Sequence, residues 1–428
     1  MNDNKKFIPC IYLCENKAWS DFKKSDVISE DPAALAEAYS DAGADEIIVF
    51  DLSPEGDDKL HEDSLHMLQK ICKAVDVEVM GAGNVKRMED IKKLIYAGCK
   101  KAFLNYSKEG NREILKEVSS KFGKDKIGIC YSNPQDITDD IENVDELASE
   151  LIFIGDEGKF KTNSLLPVVL FLETCDDNGL VESLKNEKVQ GVTGTYVNKN
   201  YAKINDWKDV CKSEGIPVFR LEAAFSWDQL KKNSDGMVPV VVQDYRTDQV
   251  LMVAYMNEEA YNTTIKTGKM TYYSRSRNEL WIKGETSSHY QYVKSLYTDC
   301  DYDTILAKVK QIGAACHTGK YSCFFNEIAS KNYTEKNPQK VLDSVYDVIK
   351  DRKVNPREGS YTNYLFNKGV DKILKKLGEE ATEIVIASKN PEEKEIVYEI
   401  SDFLYHMMVL MAEKNVSWED ITDELSRR

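Results

Sequence analysis

The chain has 428 residues, 42% of them apolar and 30% charged, proportions that suit a globular protein of two to four domains. Its 57 Lys and Arg stand against 73 Asp and Glu, a formal net charge of −16, which argues against nucleic acid as a partner because such binding relies on clustered positive charge. No uncharged apolar run approaches the ~18 residues of a membrane span, the start MNDNKKFIPCIYL lacks the apolar core of a signal peptide, and ten scattered cysteines do not resemble a disulfide framework. A cytoplasmic protein is expected, with no membrane partner and with reduced thiols free to bind metal.

Residues 1–222 alternate short apolar runs with amphipathic stretches. FIPCIYL, EIIVFDL, VEVMGAG, KAFLNY, KIGICYS, ELIFIG, PVVLFL and VQGVTGTYV read as eight strands, with helix patterns such as DPAALAEAYSDAG between them. That order predicts a parallel (β/α)8 barrel of TIM type. Asp31 followed by Pro32 reads as an N-cap with proline at the first helical position. The turn GAGN, with Gly81 and Gly83, offers backbone N–H groups that can cradle a phosphate.

Residues 223–330 are rich in strand formers and predict a small α+β domain. YQYVKSLYTDCD reads as a strand and YDTILAKVKQIG as the helix after it. In a strand, alternate side chains face opposite ways. Asp299, Asp301 and Asp303 would share one face and Cys300 the other. Cys316 and Cys323 follow in ACHTGKYSC. Three thiolates can hold Zn²⁺ and leave its fourth position open to water, and hard carboxylate oxygens suit Mg²⁺. One strand would then serve two metals. Taken alone, such aspartates are more often a solvated edge strand and such cysteines more often buried packing residues. Their neighbours change the balance: SRSRNELWIKGETSSH places Arg275, Ser276, Arg277, Lys283, Glu285, Thr286, Ser287 and His289 close together, and guanidinium forks and hydroxyls are common phosphate ligands. Trp281 and Tyr273 can stack on a base or serve as core. His317 directly follows a candidate zinc thiolate.

Residues 331–428 begin within the polar connector NEIASKNYTEKNPQK, and the rest of this segment reads as four helices. Asn390, Pro391 and Glu393 resemble a capping box. GEEATEIV carries Glu379, Glu380 and Glu383, and YEISDFLYHMM carries Glu399 and Asp402; residues three or four apart share a helix face. Ile396 to Met411 is apolar on nearly all sides, the pattern of a buried helix. Carboxylates there are costly unless paired or bound to metal, and several together suit Mg²⁺ carrying a polyphosphate. Lys368, Lys372, Lys375 and Lys376 are basic residues able to meet phosphates.

VVVQDYRTDQVLMVAYMN, SRSRNELWIKGETSSH, DCDYD and ACHTGKYSC together resemble phosphoribosyl-AMP cyclohydrolase of histidine biosynthesis, over about residues 223–328. The resemblance implies zinc on Cys300, Cys316 and Cys323, magnesium on Asp299, Asp301 and Asp303, and a homodimer whose subunits share the site. One departure is Ser288, where that family often has glycine. SYTNYLFNKGVDKILKKLGEEATE with EISDFLYHMMVLM resembles phosphoribosyl-ATP pyrophosphohydrolase, over about residues 340–428. It implies magnesium on Glu379, Glu380, Glu383, Glu399 and Asp402. The first ~130 residues resemble the histidine-biosynthesis barrels, whose acid–base pair is two aspartates at the ends of the first and fifth strands. Here Tyr12 takes the first place, and Cys130 or Tyr131 the second, depending on register.

The expectation is a bifunctional hydrolase that removes pyrophosphate from phosphoribosyl-ATP and then opens the adenine ring of phosphoribosyl-AMP, with His317 moving the proton, joined to a barrel that has lost its ancestral catalysis. A zinc-dependent adenine nucleotide deaminase and a non-enzymatic phosphoribosyl-nucleotide sensor are the alternatives.

Overall fold

The computed structural model describes residues 4–332, 337–391 and 393–426. It divides into two compact units, Met1–Asn326 and Glu327–Arg428. Positions 333–336 of the expected connector lie outside the described residues, as does position 392 within the expected capping box.

The first unit opens with the barrel. FIPCIYL forms two strands, β1 (Lys6–Ile8) and β2 (Cys10–Cys14), broken at Pro9. Proline has no N–H to give a ladder, and the strand changes partner there. A short hairpin follows, β3 (Lys17–Trp19) and β4 (Val27–Ser29). Then come the parallel strands β5 (Glu46–Asp51), β6 (Glu78–Ala82), β7 (Lys101–Asn105), β8 (Ile127–Tyr131), β9 (Glu150–Phe153), β10 (Val168–Phe171) and β11 (Val189–Thr193). β1 pairs with β11 and β2 with β5, so the sheet closes on itself with the expected eight strand runs. Helices such as Pro32–Asp41 cover the outside, and Asp31 caps that one by accepting from the N–H groups of Ala33 and Ala34.

Strand alternation sorts the side chains into two cores. Tyr12, Phe50, Phe103, Cys130 and Phe171 pack inside the barrel, while Tyr131 and Phe153 pack outward with the helices. The register at the end of the fifth strand run is thereby settled: Cys130 faces inward, not Tyr131. The loop after β3 lays Phe22 over the mouth, with ring centroids 4.9 Å from Tyr12, 5.0 Å from Phe50 and 5.6 Å from Phe171. Gly83 has φ +94, and a Cβ there would meet the Asp51 carbonyl oxygen at 2.2 Å. A Cβ on Gly81 would meet the Cys99 sulfur at 2.9 Å. Close packing therefore accounts for both glycines of GAGN.

The rest of this unit is a four-stranded sheet in the order β13-β12-β17-β16, with a separate hairpin of β14 and β15. The strands are β12 (Val238–Asp244), β13 (Val250–Met256), β14 (Thr271–Ser274), β15 (Glu279–Ile282), β16 (Gln291–Thr298) and β17 (Ile305–Gln311). Two expectations fail here. The stretch expected as a helix is strand β17: Ile305, Ala307, Val309 and Gln311 are buried while Leu306, Lys308 and Lys310 are less so, a period of two. The acidic run is not a strand. β16 stops at Thr298, and Asp299–Asp303 forms the turn into β17, with Tyr302 at φ +67.

The second unit holds helices Pro338–Val354, Tyr361–Lys368, Val370–Ala387, Glu393–Lys414 and Trp418–Ser426. The run YTNYLFNKGVDKILKKLGEEATEIVIASK, one of the four expected helices, is two, because Gly369 takes φ +79 and breaks it. Tyr346, Ile349, Leu365, Ile373, Met408 and Val409 form the core. Burial of the helix Glu393–Lys414 is confined to its second half: Val397 is 62% and Tyr398 71% exposed, so the expected all-round burial does not hold within one chain.

Candidate active sites

The β16–β17 turn brings together what strand alternation was expected to align. One carboxylate oxygen from each of Asp299, Asp301 and Asp303 lies within 4.8 Å of the others, all three residues exposed. Asp299 orders the turn by accepting from the N–H groups of Asp303 at 3.0 Å and Thr304 at 3.2 Å. Against a desolvation cost, those donors hold its carboxyl below the usual carboxylate range. Three convergent hard oxygens fit Mg²⁺.

Cys316 and Cys323 approach each other within hydrogen-bonding reach. Cys316 Sγ lies 3.1 Å from the Thr318 hydroxyl. That hydroxyl and the Thr318 backbone pull the Cys316 thiol pKa down, while burial and the Cys316 charge push Cys323 up. Lys283, only 6% exposed, faces both sulfurs. Burial depresses its pKa, and the two sulfurs oppose that. Paired thiols beside a buried cation form a donor set suited to zinc. Cys300 is exposed in the acidic turn, and among the described residues it does not join them in a three-ligand cluster. One strand serving two metals, a face for each, is therefore not the arrangement of a single chain.

Beside these lies a groove of about 570 Å³ lined by Arg275, Ser276 and Trp281, with Tyr255, Tyr272 and Tyr273. The Arg275 guanidinium sits 3.9 Å over the Tyr255 ring. Arg277 turns instead to Glu279, at 3.3 Å. Glu285, Thr286 and Ser287 are exposed in the turn after Lys283. Ser288 holds φ +60, which explains why glycine is favoured at this place. His289 donates from Nδ1 to the Ala314 carbonyl, 3.1 Å away, and Gly313 leaves room for its ring. His317 is exposed. Tyr255 was not singled out from the sequence; its place inside a strand gave no signal of ring stacking under an arginine.

In the helical unit, Glu380, Glu383 and Glu399 converge, with one oxygen of each within 4.8 Å of the others. The remaining two expected ligands stand apart. Glu379 pairs with Lys376 at 3.1 Å and Lys375 at 3.5 Å, and Asp402 is exposed outside the cluster. Lys372 is half-buried on the same helix. His406 bridges helices, with Nε2 3.0 Å from the Tyr361 hydroxyl and Nδ1 3.6 Å from Glu380.

A closed barrel, a β domain with thiol and carboxylate clusters, and a helical unit with a second carboxylate cluster define a multidomain hydrolase with two separate active centres. Three families match in succession: "Histidine biosynthesis protein" at residues 6–131, "Phosphoribosyl-AMP cyclohydrolase" at 252–325 and "Phosphoribosyl-ATP pyrophosphohydrolase" at 342–428. The chain is similar to the histidine biosynthesis bifunctional protein HisIE of Thermoanaerobacter pseudethanolicus, 52% identical over 209 residues, covering 46% of this chain and 97% of the relative. It is also similar to that of Bacillus subtilis, 45% identical over 201 residues, covering 47% and 95%. The chain belongs to the HisIE family of bifunctional histidine-biosynthesis proteins, with a barrel in addition, and has the phosphoribosyl-ATP pyrophosphohydrolase and phosphoribosyl-AMP cyclohydrolase activities. Among the described residues no helix is long and apolar enough to cross a membrane.

Proposed function

We propose that the two activities act in order within the cytoplasm. The helical unit releases pyrophosphate from phosphoribosyl-ATP with Mg²⁺ at Glu380, Glu383 and Glu399. The β domain then opens the adenine ring of phosphoribosyl-AMP by hydrolysis of its N1–C6 bond. The observation that carries this reading is the pairing of Cys316 with Cys323 beside Lys283, next to the groove of Arg275 and Trp281.

Cys316, Cys323 and a third thiolate would hold zinc, which would supply a Lewis acid able to lower the pKa of water to about 7. The protein's own groups do the rest. Trp281 and the tyrosines of the groove stack on the purine, and Arg275 and Ser276 take the phosphate. Lys283 offsets negative charge on the sulfurs. His317, free in solvent, delivers the proton to N1 as the bond to C6 breaks. Asp299, Asp301 and Asp303 would hold Mg²⁺, a counter-charge for a phosphate-bearing substrate.

We read the third thiolate as Cys300 of the partner subunit, which makes the cyclohydrolase a homodimer with shared sites. The separation of Cys300 from the other two thiols in one chain supports this. Exposed apolar residues on the helical unit, Val385, Ile386, Val397 and Tyr398, support self-association there as well. The barrel is read as non-catalytic for its ancestral reaction. Tyr12 and Cys130 replace the acid–base pair, and burial raises both pKa values, so neither is a base at neutral pH.

The test is incubation of the purified chain with phosphoribosyl-ATP, Mg²⁺ and Zn²⁺, with products identified by mass. Pyrophosphate and a product one water heavier than phosphoribosyl-AMP are expected. Release of ammonia would point instead to deamination, and accumulation of phosphoribosyl-AMP would refute the zinc-site reading.

A further inference from the structure

The barrel and the β domain of the first unit meet through a few charged contacts. On β17, Lys310 places Nζ 3.2 Å from Asp41 and 3.3 Å from Glu37, both on the helix Pro32–Asp41. On β16, Lys294 reaches Asp76 at 2.5 Å. Tyr245, just past β12, donates its hydroxyl to that same carboxylate at 2.8 Å. The Lys310 and Asp41 side chains are each only 14% exposed, so this pair is shielded from the solvent that weakens surface ion pairs.

The place of these contacts matters more than their number. Lys310 is the register partner of Tyr292, and Gln311 of Gln291. The barrel therefore grips the hairpin where β16 begins and β17 ends, away from the aspartate turn. From this gripped end the chain leaves in both directions for the site. Upstream run Lys283 to His289, and downstream Ala314 to Cys323. The two departures are tied to each other: Ile312 N–H donates to the Tyr290 carbonyl at 2.9 Å, and His289 meets the Ala314 carbonyl. A cavity of about 500 Å³ beside them is lined by Asp41, Tyr201 and Asn205 from the barrel and by Lys269, Glu285 and Tyr290 from the β domain. The HisIE relative of Thermoanaerobacter pseudethanolicus is covered over 97% of its length by 46% of this chain, which leaves no length in it for such a barrel.

We propose that the barrel is a positioning element of the cyclohydrolase, with Glu37, Asp41 and Asp76 as positioning residues. They hold the base of the β16–β17 hairpin and so set Lys283–His289 against Cys316–Cys323. This rests on the cyclohydrolase reading of that site. It gives the barrel a role in the reaction that needs no chemistry of its own.

The experiment uses the full chain with both substrates. An Asp41→Asn/Asp76→Asn double variant is expected to lose about 10-fold in kcat for phosphoribosyl-AMP, the scale of a small misplacement of reacting groups. Pyrophosphate release from phosphoribosyl-ATP stays at the wild-type rate, and an Asp41→Glu/Asp76→Glu variant recovers most of the lost turnover. Unchanged phosphoribosyl-AMP kinetics in the Asn variant would overturn the proposal. An equal loss of both activities would also overturn it, since that marks general destabilisation. If the double variant does not fold, Asp76→Asn alone is read by the same outcomes. A wild-type chain inert toward phosphoribosyl-AMP would defeat the cyclohydrolase reading itself, and this proposal with it.

Discussion

Glu380 and His406 are buried side by side, 4% exposed each, with the Glu380 carboxylate 3.6 Å from the imidazole Nδ1. The imidazole Nδ1 bonds the Asp402 carbonyl at 2.8 Å, and Glu380 accepts from Lys376 at 3.4 Å while facing Glu383 and Glu399. A carboxylate kept out of water this way is ready for a cation. Glu380→Gln, Glu383→Gln and Glu399→Gln are each expected to lower phosphoribosyl-ATP turnover by about 100-fold or more, an effect typical of lost charge stabilisation. Phosphoribosyl-AMP turnover should not change. Glu379→Gln, which removes only half-buried and exposed lysine pairs outside the cluster, should cost far less. Pyrophosphate release assays on the four variants check the ranking.

The shared-site reading has a quantitative consequence. Cys300→Ser and Cys316→Ser should each abolish cyclohydrolase activity and bound zinc. Mixed after dissociation and reassociation, the two inactive proteins should regain about a quarter of wild-type activity. Half of the random dimers are then mixed, and each mixed dimer holds one intact site of two. Mixtures that stay inactive would place all three ligands in one subunit.

Ser288 occupies the left-handed region at φ +60, its N–H donating to Gly284 O at 2.7 Å. A side chain in that conformation costs about 1–2 kcal/mol relative to glycine. Ser288→Gly is expected to raise the denaturation midpoint of the first unit, and Ser288→Val to lower it. Thermal unfolding followed by tryptophan fluorescence reads both.

Where the helix Asp58–Ala74 packs on β5 of the barrel, His61 Nδ1 lies 2.7 Å from Asp51. The hydrogen bond to Asp51 raises the His61 pKa, against desolvation. Burial raises that of Asp51, but the bonds from His61, Ser53 and Asn84 outweigh it and leave the value lowered. The sign of the linkage follows. The histidine contribution is complete below its unfolded pKa of ~6.5 and is lost as pH rises through the raised folded value. The aspartate contribution is complete above ~3.9 and is lost as pH falls through the lowered one. His61→Asn should therefore cost about 1–3 kcal/mol near pH 6 and less near pH 9. Urea denaturation at the two pH values measures the difference; an equal cost at both would contradict the ion pair.

The sequence by itself determined the elements whose signal is local. Eight apolar runs separated by amphipathic stretches foretold a barrel, and Asp31–Pro32 marked a helix start that the backbone takes. The runs DCDYD, ACHTGKYSC and KKLGEEATE marked both hydrolase segments, because chemistry confines residue type at fixed spacing. Tertiary structure decided what depends on partners far along the chain. Ile305–Gln311 has a helical composition on its face, yet it becomes a strand because β12 and β16 offer ladders on both sides. The three aspartates converge through a turn closed by Thr304 and Asp303 rather than through strand alternation. Only the closed barrel shows that Cys130 points inward and Tyr131 outward. Only helix packing brings Glu380, Glu383 and Glu399 of the five acids within 4.8 Å of one another. Periodicity names the face a residue can occupy, but the distance between two faces is set by the elements packed between them.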